Sequence, residues 1–408
     1  MGGPKSHKRD TSQHPTSFQS TFGEKFLTET YDRKAASFLQ KQPDEFFTEA
    51  GKKAVEDDTD AAAAEDSSLE PRSKQDTCRS LLAKSKNGNS FPVTYVKAFN
   101  DQRADQRWYA QGPSMQQCPS KLRATLLNNF WIDLDVENCG PTILSGLCAQ
   151  LGIECPQLDY YVEHREDRLS ELEGVLDREQ AKHLFICLMN GGSIPPEHKD
   201  ELDNGWLHDF VTEEWKIRKR IAELGKYANI KGSFPPKTQH LETKIVSAVL
   251  MSIENQALEQ FYNFFKANGI IKGGECVLTF DGLMVRDNKS NREKLTEQFL
   301  SEASTHVKET TEFLLKIRVK EFKDMYELPE DYESAPETFF VVNVGDDKTA
   351  ANILRATAGD RLVKCGKRFF FNRAGCIFVE GRHAVEEGIM CLTDEVSIVQ
   401  DAGNGKTS

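Results

Sequence analysis

The chain has 408 residues, of which 38% are hydrophobic and 28% charged, and its formal net charge is −12. This length predicts two or three domains, and the acidic charge excludes an unspecific nucleic-acid coat while leaving room for an enzyme with a local basic channel. No apolar run approaches the ~20 residues of a membrane span, and no apolar signal core opens the chain, so we expect an intracellular protein that is not secreted and has no membrane partner.

Cysteine usage and the first residues give two weaker signals. Ten cysteines stand singly, without a C-x-x-C pair, which indicates reduced thiols rather than a disulfide framework or a zinc site. The opening "MGGPKS" fits the loose myristoylation pattern, a pattern short enough to occur often by chance.

Residues 1–90 are predicted to be a disordered tail. The segment "EDDTDAAAAEDSSLEPRSKQD" is acidic, rich in Ala and Ser, and lacks an apolar stripe that could bury one face. Short amphipathic pieces such as "DRKAASFLQKQ" are compatible with transient helices or docking motifs. We expect folding to begin near "SFPVTYVKAFN".

Residues 91–325 are predicted to form a mixed, helix-rich α+β domain. "IDLDV" and "ECVLTFDGLMV" have the character of strands. Residues 169–190, 240–268 and 291–322 carry apolar residues at three- and four-residue spacing, which is the sign of amphipathic helices.

An acidic, Pro-containing linker, "YELPEDYESAPE" at 326–337, is predicted to lead to a second, smaller α+β domain at 338–408. Strand, helix and hairpin signals alternate in that second domain. The terminal "NGKT" mimics part of a phosphate-binding loop, but Gln400 stands where the loop needs Gly, and no ATPase acid or sheet follows it.

Acidic residues at two predicted strands form the main candidate site. Asp133 and Asp135 lie in "WIDLDV", and Asp281 follows an apolar run just before Gly282. If the strands are neighbours, these carboxylates can hold Mg²⁺, which prefers hard oxygen ligands. Two such ions about 4 Å apart stabilise the attacking and leaving oxygens of a phosphoryl transfer. The alternative is that the acids are ordinary turn residues, since Asp-Gly is a frequent turn pair.

A basic helix supplies the third element. In "DREQAKHLFICLMNGG", Arg178 and Lys182 lie one helical turn apart on the same face, and Asn190 and Gly191 close the helix. Arg by its fork and Lys as a point charge are suited to a triphosphate. The alternative is a solvated basic face, although the apolar "HLFICLM" predicts that the opposite face is buried.

The order of these elements resembles motifs A, B and C of family A DNA polymerases and of the related single-subunit phage RNA polymerases. The helix motif of those enzymes reads Arg-x3-Lys-x7-Tyr-Gly, and residues 178–191 keep its spacing with Asn190 in the Tyr place. Counting from Asp133, Asn138 takes the position near the sugar. Motif C keeps only its Asp, between Phe280 and Gly282.

Several segments are similar to the transposon–virus polymerase family, which occurs in virophages, giant-virus-associated elements and eukaryotic transposons, typically fused to a superfamily-three helicase. They are "GPSMQQCPSKLRATL", "DLDVENCGPTIL", "CPQLDYYVEHREDRL" and "VLTFDGLMV". Gly140 stands where that family has His. The likeness covers about residues 91–325 and implies a polymerase palm-and-fingers core. "RLVKCGKRFFFN" resembles the module between primase and helicase in poxvirus-type and giant-virus primase-helicases.

The resemblance implies a role for each candidate residue. Asp133 and Asp281 would ligate two Mg²⁺ ions, with Asp135 an alternative or additional ligand. Arg178 and Lys182 would bind the incoming nucleoside triphosphate, and Lys182 could also protonate the leaving pyrophosphate.

Five further residues have expected roles. Asn138 would lie near the sugar 2′ position, where its small side chain would permit ribonucleotides. Gln239, before the predicted helix 240–268, takes the place of a Gln that reads the primer-template minor groove. Arg107 and Arg123 are either template or primer contacts or surface arginines, and Arg165, among acids in "EHRED", favours a structural ion pair.

The sequence therefore predicts a template-directed nucleotidyltransferase, a DNA polymerase or a primase-like enzyme, in replication of a virus or mobile element. It would act on a DNA or RNA template-primer, as the N-terminal part of a polymerase–helicase fusion, in the nucleus or a viral replication compartment. The alternative is a catalytically degenerate nucleic-acid-binding module that positions a superfamily-three helicase.

Overall fold

The computed structural model describes residues 18–49, 73–86, 88–97, 107–202, 205–330, 332, 362–365, 368–373 and 376–379. Its mixed, helix-rich α+β character confirms the fold class predicted from the sequence. The chain divides into two compact units: the first draws on residues 1–29, 92–117 and 130–322, and the second on residues 30–91, 118–129 and 323–408.

The α-helices among the described residues are α1 (Phe18–Phe22), α2 (Arg33–Leu39), α3 (Asp44–Glu49), α4 (Lys74–Ser85), α5 (Ser120–Leu127), α6 (Cys139–Leu151), α7 (Pro156–Glu163), α8 (Arg165–Ser170), α9 (Arg178–Met189), α10 (Lys199–Leu202), α11 (Gly205–Ala222), α12 (Ala228–Ser233), α13 (Leu241–Ala267), α14 (Lys289–Lys294) and α15 (Glu297–Thr311). The strands are β1 (Leu27–Thr30), β2 (Ser90–Val93), β3 (Tyr95–Lys97), β4 (Trp108–Ala110), β5 (Trp131–Val136), β6 (Cys276–Thr279), β7 (Gly282–Arg286), β8 (Ile317–Lys320), β9 (Leu362–Cys365), β10 (Arg368–Arg373) and β11 (Cys376–Val379).

A four-stranded antiparallel sheet in the first unit has the order β6-β7-β5-β8. Leu134 of β5 lies opposite Leu283 of β7 on one side and Val319 of β8 on the other. β5 therefore pairs on both sides with strands that are distant in sequence. The long helix α13 contacts α6, α15 and β7, and α15 contacts β8. The sheet is thereby fixed against a layer of helices.

An aromatic cluster packs α1 against the rest of the first unit. Phe18 and Phe22 of α1 lie against Trp108, with ring centroids 5.6 and 5.3 Å apart, and Phe22 is 4.7 Å from Tyr262 of α13. Phe18 also stacks on Tyr95 at 5.7 Å. These rings are buried, so a short N-terminal helix completes a core built mainly by residues far along the chain.

The prediction of a disordered tail over residues 1–90 is wrong for residues 18–49 and 73–86, which form helices and strands. Within the first unit, the buried carboxylate of Glu29 accepts hydrogen bonds from Tyr95 Oη at 2.6 Å and the Met115 amide at 2.7 Å. The acidic, Ala-rich run that prompted the prediction lies mostly at residues 50–72, which are outside the described residues, as is "MGGPKS".

The predicted helix over residues 291–322 is wrong at its end. Two helices cover its first part: α14 ends at Lys294 and α15 ends at Thr311. β8 then forms the edge of the sheet beside β5. The alternation of "KIRVK" is that of a short strand, and pairing with β5 overrides the helical spacing of its apolar residues. The predicted helices over 169–190 and 240–268 are confirmed in their main parts as α9 and α13.

The contacts also divide the chain differently from the predicted boundaries at 91 and 325. Residues 18–29 pack into the first unit, whereas residues 118–129 belong to the second. In the second unit, β9, β10 and β11 form an antiparallel sheet of order β11-β10-β9, within the predicted second α+β domain. The terminal "NGKT" lies outside the described residues.

Candidate functional site

Asp281 sits on a tight turn between β6 and β7. Thr279 pairs with Gly282, so Phe280 and Asp281 form a two-residue hairpin loop. Phe280 has φ +62°, the left-handed region that a bulky residue adopts only under strain of roughly 1–3 kcal/mol. Its ring contacts Tyr109, with centroids 5.7 Å apart, and this contact holds the turn in place.

Gly282 lets this turn approach β5. A Cβ atom at position 282 would lie 2.4 Å from the Leu134 carbonyl oxygen and 3.2 Å from Asp135 Cα. No side chain larger than hydrogen fits there without displacing the backbone. Asp281 is therefore held beside Asp135, as the sequence predicted for strands that are neighbours.

β5 and β8 place opposite charges side by side. Asp133 and Asp135 share one face of β5, because alternate residues of a strand point to the same side. Lys320 of β8 pairs in register with Asp133, and its Nζ lies 3.5 Å from Asp135 Oδ2. A lysine that the sequence did not single out is thus a member of the acidic site.

A second cation enters from the segment before β4. Arg107 donates a hydrogen bond from Nη2 to Glu254 Oε2 at 2.8 Å, and its Nε lies 2.7 Å from Glu254 Oε1. Glu254, on α13, is only 6% exposed. The guanidinium also lies over the Phe280 ring, 5.0 Å from its centroid. Arg107 therefore links α13 to the turn that carries Asp281, a structural contact that neither of its two predicted roles, a template or primer contact or a surface arginine, included.

The charges of these groups act on one another. Burial, followed by the negative charges of Asp135 and Glu254, raises the pKa of Asp281 well above its usual range, against the opposing effect of Arg107 and Lys320. Burial alone would lower the pKa of Lys320, but Asp135 and then Asp133 raise it overall. The acids and both cations thus form one electrostatic cluster.

The start of α6 belongs to the same region. Burial, and then the charges of Glu254 and Asp281, raise the pKa of the Cys139 thiol at the first residue of α6. Asn138, the predicted sugar-contacting residue, precedes it with φ +50°, and its Nδ2 is buried without a hydrogen-bond partner among the described residues. The structure therefore brings Asn138 to the N-terminal end of a helix beside the acids.

A metal ion was predicted for these acids. Among the residues that the structure describes, no group of three or more His, Cys, Asp or Glu side chains is placed to hold a metal ion, and the ligand set of Asp133, Asp135 and Asp281 stays a prediction. The donor chemistry fits a hard divalent cation, since Asp133, Asp135 and Asp281 offer oxygen ligands.

Arg178 and Lys182 lie on one face of α9, as predicted, and both carry carboxylate partners. Arg178 donates to both oxygens of Glu166, from Nε at 2.9 Å and from Nη2 at 2.6 Å. Lys182 and Arg178 also share Glu179. The cationic helix α9 contacts α8 and α11, whereas the aspartates of the sheet interact with Lys320 and Arg107.

Two predicted nucleotide-binding residues, Asn190 and Gly191, terminate α9. Asn190 caps the helix and donates from Nδ2 to the Ile186 carbonyl at 3.0 Å. Gly191 has φ +80°, and a Cβ atom there would lie 2.6 Å from Thr243 Oγ1. Their spacing from Arg178 therefore reflects helix termination and close packing against α13.

The remaining predicted nucleic-acid contacts lie in separate places. Arg123, on α5 in the second unit, donates to the Cys118 carbonyl at 3.4 Å. Gln239 is exposed in the turn before α13. Arg165 begins α8; burial raises the pKa of the nearby Tyr161, and the charge of Arg165 partly offsets this. The structural ion pair expected for Arg165 stays a prediction.

Lys320 and Glu254 are the site residues that sequence reasoning missed. The alternation of "IRVK" carried a signal for β8, and hence for Lys320. Glu254 lies inside a 27-residue amphipathic helix and has no local signal.

Comparisons with known proteins give one substantial sequence relative. A scan against protein-family models finds no match. "Putative helicase V13" of Sputnik virophage is 30% identical to this chain over 258 residues, which are 60% of this chain and 32% of that protein. The chain thus spans about a third of the length of the relative it matches.

Among solved structures, the POL domain of Pol1 from M. smegmatis, in complex with DNA primer-template and dNTP, matches 75% of this chain and 68% of its own. The TM-score is 0.44 and the identity 10%, which is too low to infer a shared function. Separately, no helix among the described residues is both long enough and apolar enough to cross a membrane.

Proposed function

We propose that the chain carries the palm-like site of a template-directed nucleotidyltransferase of the transposon–virus polymerase kind. The observation that carries this proposal is the position of the Asp281 turn, which Gly282 brings against Asp135 of the neighbouring strand β5. Two acids nearly 150 residues apart in sequence thereby reach one edge of one rigid sheet. The likeness to a virophage protein named as a helicase supports a place in a polymerase–helicase fusion.

The acids would hold divalent metal ions. Asp133, Asp135 and Asp281 are the ligands, and bound Mg²⁺ would supply charge stabilisation for the attacking and leaving oxygens. Lys320 balances Asp135 in the metal-free protein. Arg107 is a positioning residue, because it fixes the Phe280–Asp281 turn through its stacking contact and its pairing with Glu254.

The incoming triphosphate would bind α9. The Arg178 guanidinium donates two parallel hydrogen bonds to the Glu166 carboxylate. A phosphate group can replace that carboxylate and accept the same two bonds. Lys182 would add a point charge and donate a proton to the leaving pyrophosphate. For this, α9 must meet the sheet's aspartates in the substrate complex. Asn138 would lie at the sugar, and its small amide would admit ribonucleotides, as a primase requires.

Asp281→Asn is the direct test of the enzyme. The full chain is assayed for Mg²⁺- or Mn²⁺-dependent incorporation of deoxynucleotides and ribonucleotides on primed and bare templates. We expect incorporation by the wild type and at least a hundredfold loss in the variant, because an amide cannot replace an anionic metal ligand. Glu309→Gln, an exposed acid on α15, is the matched control and should keep full activity.

A second candidate is a catalytically degenerate module that binds nucleic acid and positions a helicase. It is favoured by the neighbours of Asp281, because Phe280 and Gly282 offer no polar side chain. Template binding without incorporation at any metal concentration would select this candidate over the enzyme.

A further inference from the structure

A strongly basic segment lies in this acidic protein, outside the acidic cluster of Asp133, Asp135 and Asp281. Residues 215–237 contain seven Lys or Arg and one Glu, a formal charge of +6, whereas the whole chain carries −12. The potential at a surface is set by the nearest charges rather than by the net charge. The electrostatic potential around this segment is therefore positive, although the net charge of the chain is negative.

The first part of the segment is held rigidly on α11. Phe210, Ile217 and Ile221 are fully buried on one side of this 18-residue helix. Arg218, also buried, donates from Nη1 to the carbonyls of Leu188 at 2.9 Å and Met189 at 2.8 Å. One of the seven cations, Arg218, is therefore bound inside the fold. Its hydrogen bonds fix the rotation of α11, so that the opposite side of the helix faces solvent.

The solvent side of α11 combines aromatic and cationic groups. Trp215 is 58% exposed, whereas Trp108 and Trp131 are each 1% exposed. Lys219 Nζ lies 5.2 Å from the centroid of the Trp215 ring and covers one of its faces. Among the large hydrophobic side chains of the described residues, Trp215 is the most exposed, and its uncovered ring face is open to a stacking partner.

The same pairing of a lysine with an aromatic ring recurs further along. Lys226 Nζ lies 5.0 Å from the centroid of the half-buried Tyr227 ring. The exposed cations of the segment form no salt bridge with any residue that the structure describes: Lys216, Lys219, Arg220, Lys226, Lys231 and Lys237. We call these six cations and Trp215 the 215–237 surface.

We propose that the 215–237 surface binds single-stranded nucleic acid. The unpaired cations would contact successive phosphates, and the open face of Trp215 would stack on a base. A single strand fits better than a duplex, because the flat face of a base is accessible only outside a base-paired stack. This binding needs no metal ion and none of the acids beside Asp281, so it is independent of the proposed enzyme function.

Charge removal tests the electrostatic part. A fluorescently labelled oligonucleotide of about 20 nucleotides, as DNA or RNA, is titrated with the full chain in EDTA, and anisotropy is measured at several salt concentrations. We expect Lys216→Gln/Lys219→Gln/Arg220→Gln to weaken binding about tenfold or more and to reduce the salt slope by about 2. The control, Lys272→Gln/Lys289→Gln/Lys308→Gln, makes the same change of net charge elsewhere and should bind like the wild type.

Stacking is tested through Trp215 itself. Of the four tryptophans, Trp108 and Trp131 are buried and Trp206 is half-buried against Phe185 and Arg168. Comparing the wild type with Trp215→Phe therefore isolates the part of the fluorescence quenching by the oligonucleotide that comes from Trp215. Trp215→Ala should lose about tenfold in affinity, whereas Trp215→Phe keeps a ring and should retain most of it. In Trp215→Phe the quenching should nevertheless fall to the level left by the other three tryptophans, which separates stacking from a change in folding.

Three results would overturn the proposal. They are equal affinity of the two triple variants, binding without tryptophan quenching that is as strong for duplex as for single strands, and binding to anionic phospholipid vesicles in preference to oligonucleotides. Asp281→Asn should bind the oligonucleotide like the wild type. Loss of incorporation in that variant together with retained binding in EDTA would keep the two proposals separate.

Discussion

Three consecutive residues give the β6–β7 turn its properties at the scale of single side chains. Phe280 takes a left-handed backbone conformation and is held by Tyr109 and Arg107. Asp281 provides the carboxylate, and Gly282 provides the space that lets it approach Asp135. The sequence "FDG" is therefore more than a frequent turn pair: Phe280 anchors the turn, Asp281 carries the charge and Gly282 allows the close approach to β5.

Gly282→Ala tests the close approach. The new methyl group would overlap the Leu134 carbonyl oxygen, so we expect the free energy of unfolding to fall by about 1–3 kcal/mol and any incorporation activity to fall with it. Urea denaturation measures the first effect. Gly174→Ala is the control, because a Cβ atom at Gly174 meets nothing within 4 Å; equal stability of the two variants would contradict the proposed packing.

Glu214 makes a pH-dependent contribution to stability, away from the acidic site. Burial, only partly offset by Arg218, raises the pKa of Glu214 to about 8, compared with about 4.3 in an unfolded chain. Between these values the folded state binds the proton more tightly than the unfolded state. The contribution is therefore fully present below pH ~4.3 and is lost as the pH rises towards 8.

Glu214→Gln should remove this dependence. We expect the free energy of unfolding of the wild type to fall relative to the variant from about pH 5 to pH 8, by at most about 1.4 kcal/mol for each pH unit. Urea denaturation across that range measures the difference. Glu223→Gln, exposed near the end of the same helix, should follow the wild-type curve. A constant difference between wild type and Glu214→Gln would show that Glu214 does not titrate in this range.

At the scale of elements, the pairing of β8 with β5 decides which charges the site contains. The register places Lys320 opposite Asp133 and its ammonium group near Asp135. A shift of one residue would turn Lys320 to the other face of the sheet. In the same way, Arg218 of α11 binds the last carbonyls of α9 and fixes the helix that carries Arg178 and Lys182.

Lys320→Gln tests the effect of this register on metal binding. Removing a cation beside Asp135 and Asp133 should tighten binding of Mn²⁺ on the order of tenfold, because the ion no longer competes with a tethered charge. Isothermal titration calorimetry gives the affinity without an activity assay. Lys320→Arg keeps the charge and should bind Mn²⁺ like the wild type. Weaker binding in Lys320→Gln would mean that Lys320 supports the metal site instead.

At the scale of the whole molecule, the first unit is assembled from three separate parts of the chain. Residues 18–29 contribute buried side chains to a core whose other members lie between residues 92 and 322. Arg107 and Glu254, which form a part-buried ion pair, are 147 residues apart. Long-range contacts of this kind make the unit cooperative, because no single segment can bury its apolar surface alone.

Phe22→Ala tests the contribution of the N-terminal helix. Phe22 is buried against Trp108 and Tyr262, so we expect the free energy of unfolding to fall by about 3–5 kcal/mol. Thermal and urea denaturation of the full chain measure the loss. Phe26→Ala, four residues away and exposed, is the matched control and should change stability by less than about 1 kcal/mol. Equal effects would place Phe22 outside the core.

Part of this structure was predictable because the signals are local. The strands with Asp133, Asp135 and Asp281 have strand-like composition and a turn pair, and α9 has helical spacing and a residue suited to its end. The burial of Phe18 and Phe22 was not predictable, because the segment around them is short and its partners lie far along the chain. Residues 312–322 were misassigned because a four-residue strand carries too little periodicity to outweigh a long helical pattern.

The sequence by itself determined the helix-rich α+β class, the strands that carry the acids and the helix that carries Arg178 and Lys182, because those properties follow from the spacing of side chains along the chain. Only the tertiary structure decided that Lys320, Arg107 and Glu254 share the acidic cluster and that Arg178 and Lys182 are paired with Glu166 and Glu179. The physical reason is that a Coulombic partner is chosen by distance in space, and that distance depends on which strands and helices pack together.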